Sequence, residues 1–396
     1  MAWDDADGVV RSGQTAVCNQ RRMCVDVLIG HRVCGDQLST TVAGVDGFWK
    51  GCSMLHTLEA EISPGMSTAD AVGLARRVEE VGFDRLGISD VVFWPDCFVL
   101  QALIAEATER VHIGSMVTNP YTRHPAVLAG VLSTLQESSG GRMFLGIGVG
   151  AGLEELGIDY PRPVRALREA IVGINGLLSG ERVELDGDVF PVHGAALIRP
   201  PATRVPISIG TRSRQVMQLA GELADTALVG ARAFTPALAE QYRTWLGEGA
   251  ARVGRNPATV EVAPRLTLCV SDDAALARNS VVRYVAHYLA IIRPADLGPD
   301  RLAAIDAALE RSTGWYFDLA RHDDPALFDL VPAEWITKYA VVGTPADVVD
   351  QMAAIAELGF TSASLNLAAV VRSDMATGLR ETIDGFGAVI DSVRSA

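Results

Sequence analysis

Residues 67–89 read STADAVGLARRVEEVGFDRLGIS. Ser67 or Thr68 can cap a helix, because a hydroxyl just before the first turn accepts a hydrogen bond from an otherwise unpaired backbone N–H. Leu74, Val78 and Val81 then share one face at i, i+4 and i+7, the spacing of an amphipathic helix. Gly82 stands where a helix end favours positive φ, and a strand over 84–89 follows. The design returns near the other end of the chain. Thr344-Pro345 supplies a cap with proline at the first helical position. That helix ends in Glu357-Leu358-Gly359-Phe360, nearly the same letters as Glu80-Val81-Gly82-Phe83. A helix–Gly–Phe–strand unit at both ends is an internal echo, expected of a chain of repeated βα units.

Between these outer units, strands are expected at 112–116, 143–148, 206–210, 225–230 and 260–270. Helices are expected near 97–110, 125–139, 163–180, 212–222, 235–252 and 274–293. With strands at 58–62, at 84–89 and ending at Asn366, the 396-residue chain carries eight. Eight parallel strands with helices between them make a (β/α)8 TIM barrel or a doubly wound sheet. Asp186-Gly187 is a hairpin turn signal between Val183 and Phe190, so a small β-hairpin insertion follows the fourth helix. Residues 294–338 form a longer insertion after the seventh strand. The text changes character at Met54: residues 1–53 mix Gly, Arg, Cys and Asp with little periodicity. The folded domain is therefore assigned to 54–396 and a poorly structured leader to 1–53, with a first unit over 24–53 as the alternative.

Hydrophobic residues make up 49% and charged residues 21%, the balance of a globular protein rather than a disordered one. The formal charge of −14, from 34 Lys+Arg against 48 Asp+Glu, disfavours a nucleic-acid partner, which needs a basic face. No apolar run is long enough to span a bilayer, and the first 23 residues lack the apolar core of a secretory signal. The six cysteines show no C-x-x-C spacing. A disulfide framework and a zinc ribbon are both disfavoured, and a cytoplasmic location is expected. Neither an H-E-x-x-H metal motif nor a G-x-S-x-G nucleophile elbow occurs. The expected partner is a small-molecule substrate, and a homodimer or homotetramer is left open.

Two stretches carry candidate chemistry. Gly146-Ile147-Gly148-Val149-Gly150-Ala151 follows a strand and satisfies G-x-G-x-x-A. It lies in the fourth unit, no clear helix follows it, and no acidic residue follows on a neighbouring strand end to hold a ribose, which disfavours a dinucleotide site. A glycine-rich strand end packed close to its neighbours is one reading. The preferred one is that Gly148 and Gly150 face a flat cofactor in a barrel mouth. The second stretch is Thr118-Asn119-Pro120-Tyr121-Thr122-Arg123-His124-Pro125, a stiff polar loop at the C-terminal end of the third strand, the catalytic side of a barrel. Arg123 pairing with a carboxylate and His124 capping the next helix are the structural alternatives.

These residues, with Leu135-Gln136-Glu137-Ser138-Ser139-Gly140-Gly141-Arg142 and Leu145-Gly146-Ile147-Gly148, resemble the luciferase-like superfamily. Within it they resemble the F420-dependent branch and methylenetetrahydromethanopterin reductase in particular. Glu61-Ile62-Ser63-Pro64, the segment 219–225 and Val341-Val342-Gly343-Thr344-Pro345 add to the match, which runs from about Leu58 to the C-terminus. The resemblance implies that the folded domain over 54–396 is a (β/α)8 barrel with coenzyme F420 at the strand ends, FMN being the alternative. It implies a non-proline cis bond at Met116–Val117, and a deazaflavin backed by that bulge and flanked by Thr118 and Asn119. It also implies that Gly210, Thr211, Arg212 and Ser213 hold the cofactor phosphate; a helix N-terminus suits an anion on physical grounds too.

The resemblance has gaps. The F420-dependent sugar-phosphate dehydrogenases carry a His after the Asp at the second strand's end and a Glu after the glycine-rich strand end; here Val91 follows Asp90, and Ala151 takes the second place. That activity is rejected. The apolar run Val91-Val92-Phe93-Trp94 suggests a substrate other than a highly charged pterin. Phe93, Trp94 and the insertion bearing Trp315 and Tyr316 are candidates for the substrate wall, with plain packing as the alternative. Glu61 is the first candidate acid, with an ion pair to Arg123 or another cation that only holds the barrel together as the structural alternative. Strand alternation puts Glu61 on one face with Glu59 and nearer the rim, and burial raises a carboxyl toward the range useful for proton delivery. Asp90 is the second. An FMN-dependent monooxygenase and a non-catalytic ligand-binding barrel remain the other classes. A chain shortened to begin at Met54 is expected to fold and keep its cofactor affinity; an insoluble product beside a stable full-length protein would move the boundary upstream.

Overall fold

The helix that opens the barrel, Thr68–Val81, shows the logic of the repeating unit. Ser67 Oγ accepts from the Asp70 amide at 3.1 Å, and Ala71, Leu74, Ala75 and Val78 are buried along one stripe. Gly82 ends the helix at φ 101°. Phe83, 4% exposed, drops into the core against Phe386 at 5.2 Å between ring centres. The computed structural model describes residues 54–150, 152–230, 233–314, 322–372 and 374–395. The leader assigned to residues 1–53, and Ala151, Trp315 and Tyr316, lie outside them.

The sheet strands in chain order are β1 (Thr57–Ile62), β2 (Arg85–Ile88), β3 (His112–Ser115) and β4 (Met143–Ile147). A two-stranded hairpin follows, β5 (Val183–Leu185) and β6 (Val192–Ala195), and then β7 (Ile207–Thr211), β8 (Thr226–Gly230), β9 (Glu261–Val270), β10 (Ala340–Gly343) and β11 (Ser362–Leu367). Leaving aside the hairpin and β10, parallel pairing runs β1–β2–β3–β4–β7–β8–β9–β11 and returns to β1. Eight strands thus close a (β/α)8 barrel. The antiparallel hairpin after the fourth helix is the expected insertion.

One strand escaped the sequence reading. Ala340–Gly343 forms β10 and pairs with Thr267–Val270 of β9, making the sheet nine-stranded. The reason lies in the length of β9. Its ten residues outrun the barrel wall: Glu261–Arg265 pairs with β8, Arg265–Leu268 with β11, and the remaining end with β10. The long insertion is helical, with segments Pro299–Arg311, Ala326–Leu330 and Ala333–Tyr339. With helix Ala274–Ile292 it builds a second core around Tyr284, Tyr288, Ile305, Trp335 and Tyr339. Among the described residues no helix is long and apolar enough to cross a membrane.

Strand alternation divides the wall. Leu58, Ala60, Ile62, Leu86 and Ile88 are buried in the main core under the helices, and a separate cluster of Met116, Phe144, Leu228 and Ala263 fills the barrel interior. At the foot of the barrel Arg85 Nη1 meets Glu261 Oε2 at 2.7 Å. On that side Arg394 near the C-terminus donates to the His56 and Gly82 carbonyls, both at 2.9 Å, and to Asp84 at 2.8 Å.

Glu59 sits inside this wall, 5% exposed, opposite Ser364 in the β1–β11 register. Among the described residues its Oε1 and the Ser362 hydroxyl meet no hydrogen-bond partner, and the Ser364 hydroxyl beside the carboxyl offsets burial only in part. Burial pushes the Glu59 carboxyl up to about 7. A carboxyl raised on folding contributes stability that is fully present below its unfolded value near 4.5 and is lost as the pH rises through the folded value. At one pH unit per ~1.4 kcal/mol the loss is on the order of 3 kcal/mol. Glu59→Gln is expected to gain on the wild type in thermal stability as the pH rises from about 5 to about 8, following the two ends of that titration. A Tm difference independent of pH would show that Glu59 is not neutral in the folded protein.

Candidate active site

The C-terminal ends of the barrel strands gather a row of polar groups. Glu61 is next to last in β1, faces inward and is 1% exposed. Arg265 of β9 grips it with both arms: Nε to Oε2 at 2.5 Å and Nη2 to Oε1 at 2.6 Å. Ser89, just past β2, adds a hydroxyl to Oε1 at 2.9 Å. This is the structural alternative for Glu61, a pair with a cation, and the cation is Arg265. Both carboxylate oxygens are held by a bidentate guanidinium, the geometry of a fixed ion pair. Arg265 was missed, although its signal was readable: one Arg sits at an inward position of the otherwise apolar run VAPRLTLCV over 262–270.

Asp90 follows on the β2 side. Its Oδ2 accepts from Thr118 Oγ1 at 2.6 Å, and Arg123 Nη1 stands 3.9 Å away. Burial raises the Asp90 carboxyl above the ordinary range, and the Thr118 hydroxyl and Arg123 offset this only in part. Of the two candidate acids, Asp90 is the one whose surroundings favour a held proton.

The chain leaves β3 through Met116 and Val117, and the peptide bond between them is cis. Met116 points into the interior cluster, 4% exposed. Thr118 resumes pairing with β4: its N–H donates to the Gly146 carbonyl and its carbonyl accepts from the Gly148 N–H, both at 2.9 Å. The Val117 methyls lie over bare backbone. A Cβ on Gly148 would stand 3.1 Å from Val117 Cγ2, and one on Gly210 3.3 Å from it. Gly148 therefore makes room for Val117, the close packing that is one reading of this glycine-rich strand end, and a ligand would lie beyond those methyls. Gly150 has φ 94°, and a Cβ there would meet Leu153 at 2.8 Å.

Asn119 organises the loop that follows. Its Oδ1 accepts from the amides of Tyr121 and Thr122, both at 2.9 Å. Both structural alternatives for the next pair hold. Arg123 bonds Asp96 and lies 4.7 Å over the Phe98 ring, and His124 Nδ1 accepts from the Ala126 amide at 3.2 Å, capping helix Pro125–Ser138.

Across the mouth, β7 ends at Gly210 and Thr211. Thr211 Oγ1 donates to the Ser213 carbonyl at 3.2 Å, and Ser213 Oγ accepts from the Val216 amide at 3.3 Å. Ser213 thus caps helix Arg214–Leu223, and Arg212 beside it is exposed. Phe93 is 73% exposed at φ 68°; it stands out from the loop after β2 and encloses nothing. Trp94 is half-buried in the same loop. Among the described residues no group of three or more His, Cys, Asp or Glu side chains could hold a metal ion.

The chain has recognisable relatives. It is 31% identical over 311 residues to the 5,10-methylenetetrahydromethanopterin reductase of Methanolobus tindarius, covering 77% of this chain and 92% of that one. Its fold matches the coenzyme F420-dependent tetrahydromethanopterin reductase of Methanopyrus kandleri with a TM-score of 0.70 at 22% identity, over 83% of this chain and 97% of that one. It also matches an F420-dependent secondary alcohol dehydrogenase, in complex with an F420-acetone adduct, with a TM-score of 0.69 at 20% identity, over 86% and 100% of the two chains. Residues 51–362 match the model of the luciferase-like monooxygenases, and the chain belongs to that family.

Proposed function

We propose that this protein is an F420-dependent oxidoreductase that passes hydride between the deazaflavin and a small organic substrate. The observation that carries the reading is the match along 92% of a methylenetetrahydromethanopterin reductase. The residues at the mouth fit the coenzyme. Val117 and the interior cluster below it offer an apolar ledge for a flat ring, and the first turn of helix Arg214–Leu223, beside exposed Arg212, offers N–H groups and positive charge for a phosphate. In this reading Met116, Val117, Thr118, Asn119, Gly148 and Gly150 line the ring side, and Gly210, Thr211, Arg212 and Ser213 the phosphate side.

When bound, the coenzyme supplies the redox chemistry. The chain positions the reactants and handles the proton. Asp90 holds it: its carboxyl is raised by burial and anchored through Thr118 to the strand that carries the ring ledge. Glu61, fixed by Arg265 and Ser89, presents a rigid charged floor. Phe93 and Trp94, on the loop after β2, stand where a substrate enters. A mouth with so apolar a loop favours a substrate less charged than a pterin.

Titration of the protein with F420 and FMN side by side is expected to show F420 binding and FMN binding much more weakly. FMN binding as tight, with oxygen consumed in turnover, would make it a monooxygenase instead. Asp90→Asn is expected to leave F420 affinity near the wild type and lower turnover by about 10²-fold or more, the usual loss with a general acid. A proton donor is active while protonated, so wild-type turnover in the proton-requiring direction should fall as the pH rises through a point above the ordinary aspartate range. The Asn variant should lack that limb. A variant retaining full turnover and the same limb would remove Asp90 from the chemistry.

A further inference from the structure

The β5–β6 hairpin stands outside the barrel, yet its turn reaches the mouth. The turn wraps around a single carboxylate. Glu169, in the second turn of helix Pro163–Leu178 and 6% exposed, accepts from the amides of Asp188 at 3.0 Å, Val189 at 2.8 Å and Phe190 at 2.9 Å. Arg165 Nε closes on the same group at 2.9 Å. Burial alone would raise this carboxyl; the three amides and the guanidinium overcome it and hold it at about 2. The turn is drawn in so far that a Cβ on Gly187 would stand 2.7 Å from Glu169 Oε2. Phe190 leaves this clamp toward the mouth loop. Its ring lies 5.8 Å from that of Tyr121 and 5.7 Å from that of His124, edge-on to the latter. Tyr121 in turn meets Tyr160 at 6.3 Å, and its hydroxyl is buried without a hydrogen-bond partner.

We infer that the hairpin insertion is a strut for the mouth loop over 118–125, with Phe190 as its contact and Glu169 as the residue that fixes Phe190 in place. The loop's own bonds, from Asn119 to the next two amides and from Thr118 to Asp90, shape it locally. The outer face of the loop rests on aromatic packing, where offset or edge-to-face pairs contribute about 0.5–1.5 kcal/mol beyond burial. Glu169 acts at a distance: it grips the backbone of the turn, and the turn carries the ring. Both are positioning residues. Their bearing on the chemistry rests on the F420 reading above; their bearing on the loop does not.

Two probes separate these. The Tyr121 phenol is pushed up to about 12 by burial, so loss of packing brings it back toward the ordinary 10. Its titration is isolated by subtracting the curve of the same protein carrying Tyr121→Phe. Amide hydrogen exchange over 118–125 reports the loop backbone. In Phe190→Ala the phenol is expected to titrate at lower pH and the loop amides to exchange roughly tenfold faster or more, as local opening free energy falls, while the barrel strands keep their protection. Phe190→Tyr should restore both. Glu169→Ala should reproduce the Phe190→Ala result, and unlike it should also free the amides of residues 188–190. Unchanged phenol titration and exchange in both variants would overturn the strut, and a wild-type loop in Glu169→Ala alone would overturn the share given to Glu169. A third arm measures F420 affinity, expected to drop about tenfold in both variants, as misplaced contacts do. A wild type that fails to bind F420 would sink the proposed function and leave the loop result standing.

Discussion

The bidentate pair between Arg265 and Glu61 sets the terms for the rest of the barrel mouth. β9 and β1 are not neighbours; β11 runs between them. The guanidinium therefore spans a strand, and the pair ties three strands together from the inside. A carboxylate 1% exposed is costly to bury alone, and removing one member of such a pair costs about 3–5 kcal/mol because the other is left uncompensated. Once the pair is made, Ser89 is drawn to Glu61 and the end of β2 is fixed. Asp90 is then held next to Thr118, where β3 regains its pairing with β4. Order passes from the ion pair around the rim to the loop that carries the candidate cofactor contacts.

The interior is graded in polarity from foot to mouth. The Arg85–Glu261 pair closes the bottom, Glu59 and the Ser362 and Ser364 hydroxyls lie inside β1 and β11, and an apolar cluster supports the Val117 ledge. Polar groups packed inside a barrel are held in place by their bonds or left needing them. Those held, Glu61 and Asp90, lie at the rim. Glu59, which is not, lies deeper and is pushed toward neutrality by burial. Two carboxylates two residues apart on one strand face thus have different surroundings: a guanidinium grips both oxygens of Glu61, while burial is the largest influence on Glu59.

The fold was legible because its signals are local. The caps at Ser67 and Thr344, the turn at Gly82 and the Gly–Phe echo at both ends each act within a few residues, and the structure uses all of them. The hairpin was readable from Asp186-Gly187 for the same reason. What the sequence did not disclose was pairing between distant elements. Ala340–Gly343 is assigned to no strand from the sequence, and only the overhang of β9, some seventy residues upstream, makes it one. The site divides the same way. That Glu61 faces inward follows from alternation, but its partner lies 204 positions away, and nothing near Glu61 announces Arg265. That Val117 packs over both Gly148 and Gly210 is likewise a contact between distant segments.

Arg394 gives the molecule a property of its own. Its guanidinium joins the His56 carbonyl, the Gly82 carbonyl and the Asp84 carboxylate, so the last helix is stitched to the start of the first strand. The barrel is in this sense a ring cut at one place, with its two ends side by side on the face away from the mouth. A cut there disturbs no strand pairing and no residue of the rim. The order in which the units are written along the chain is then distinct from the ring they form: the barrel's first strand and last helix, farthest apart in its sequence, are neighbours in space, and the row from Arg265 to Thr118 lies on the opposite side from their junction.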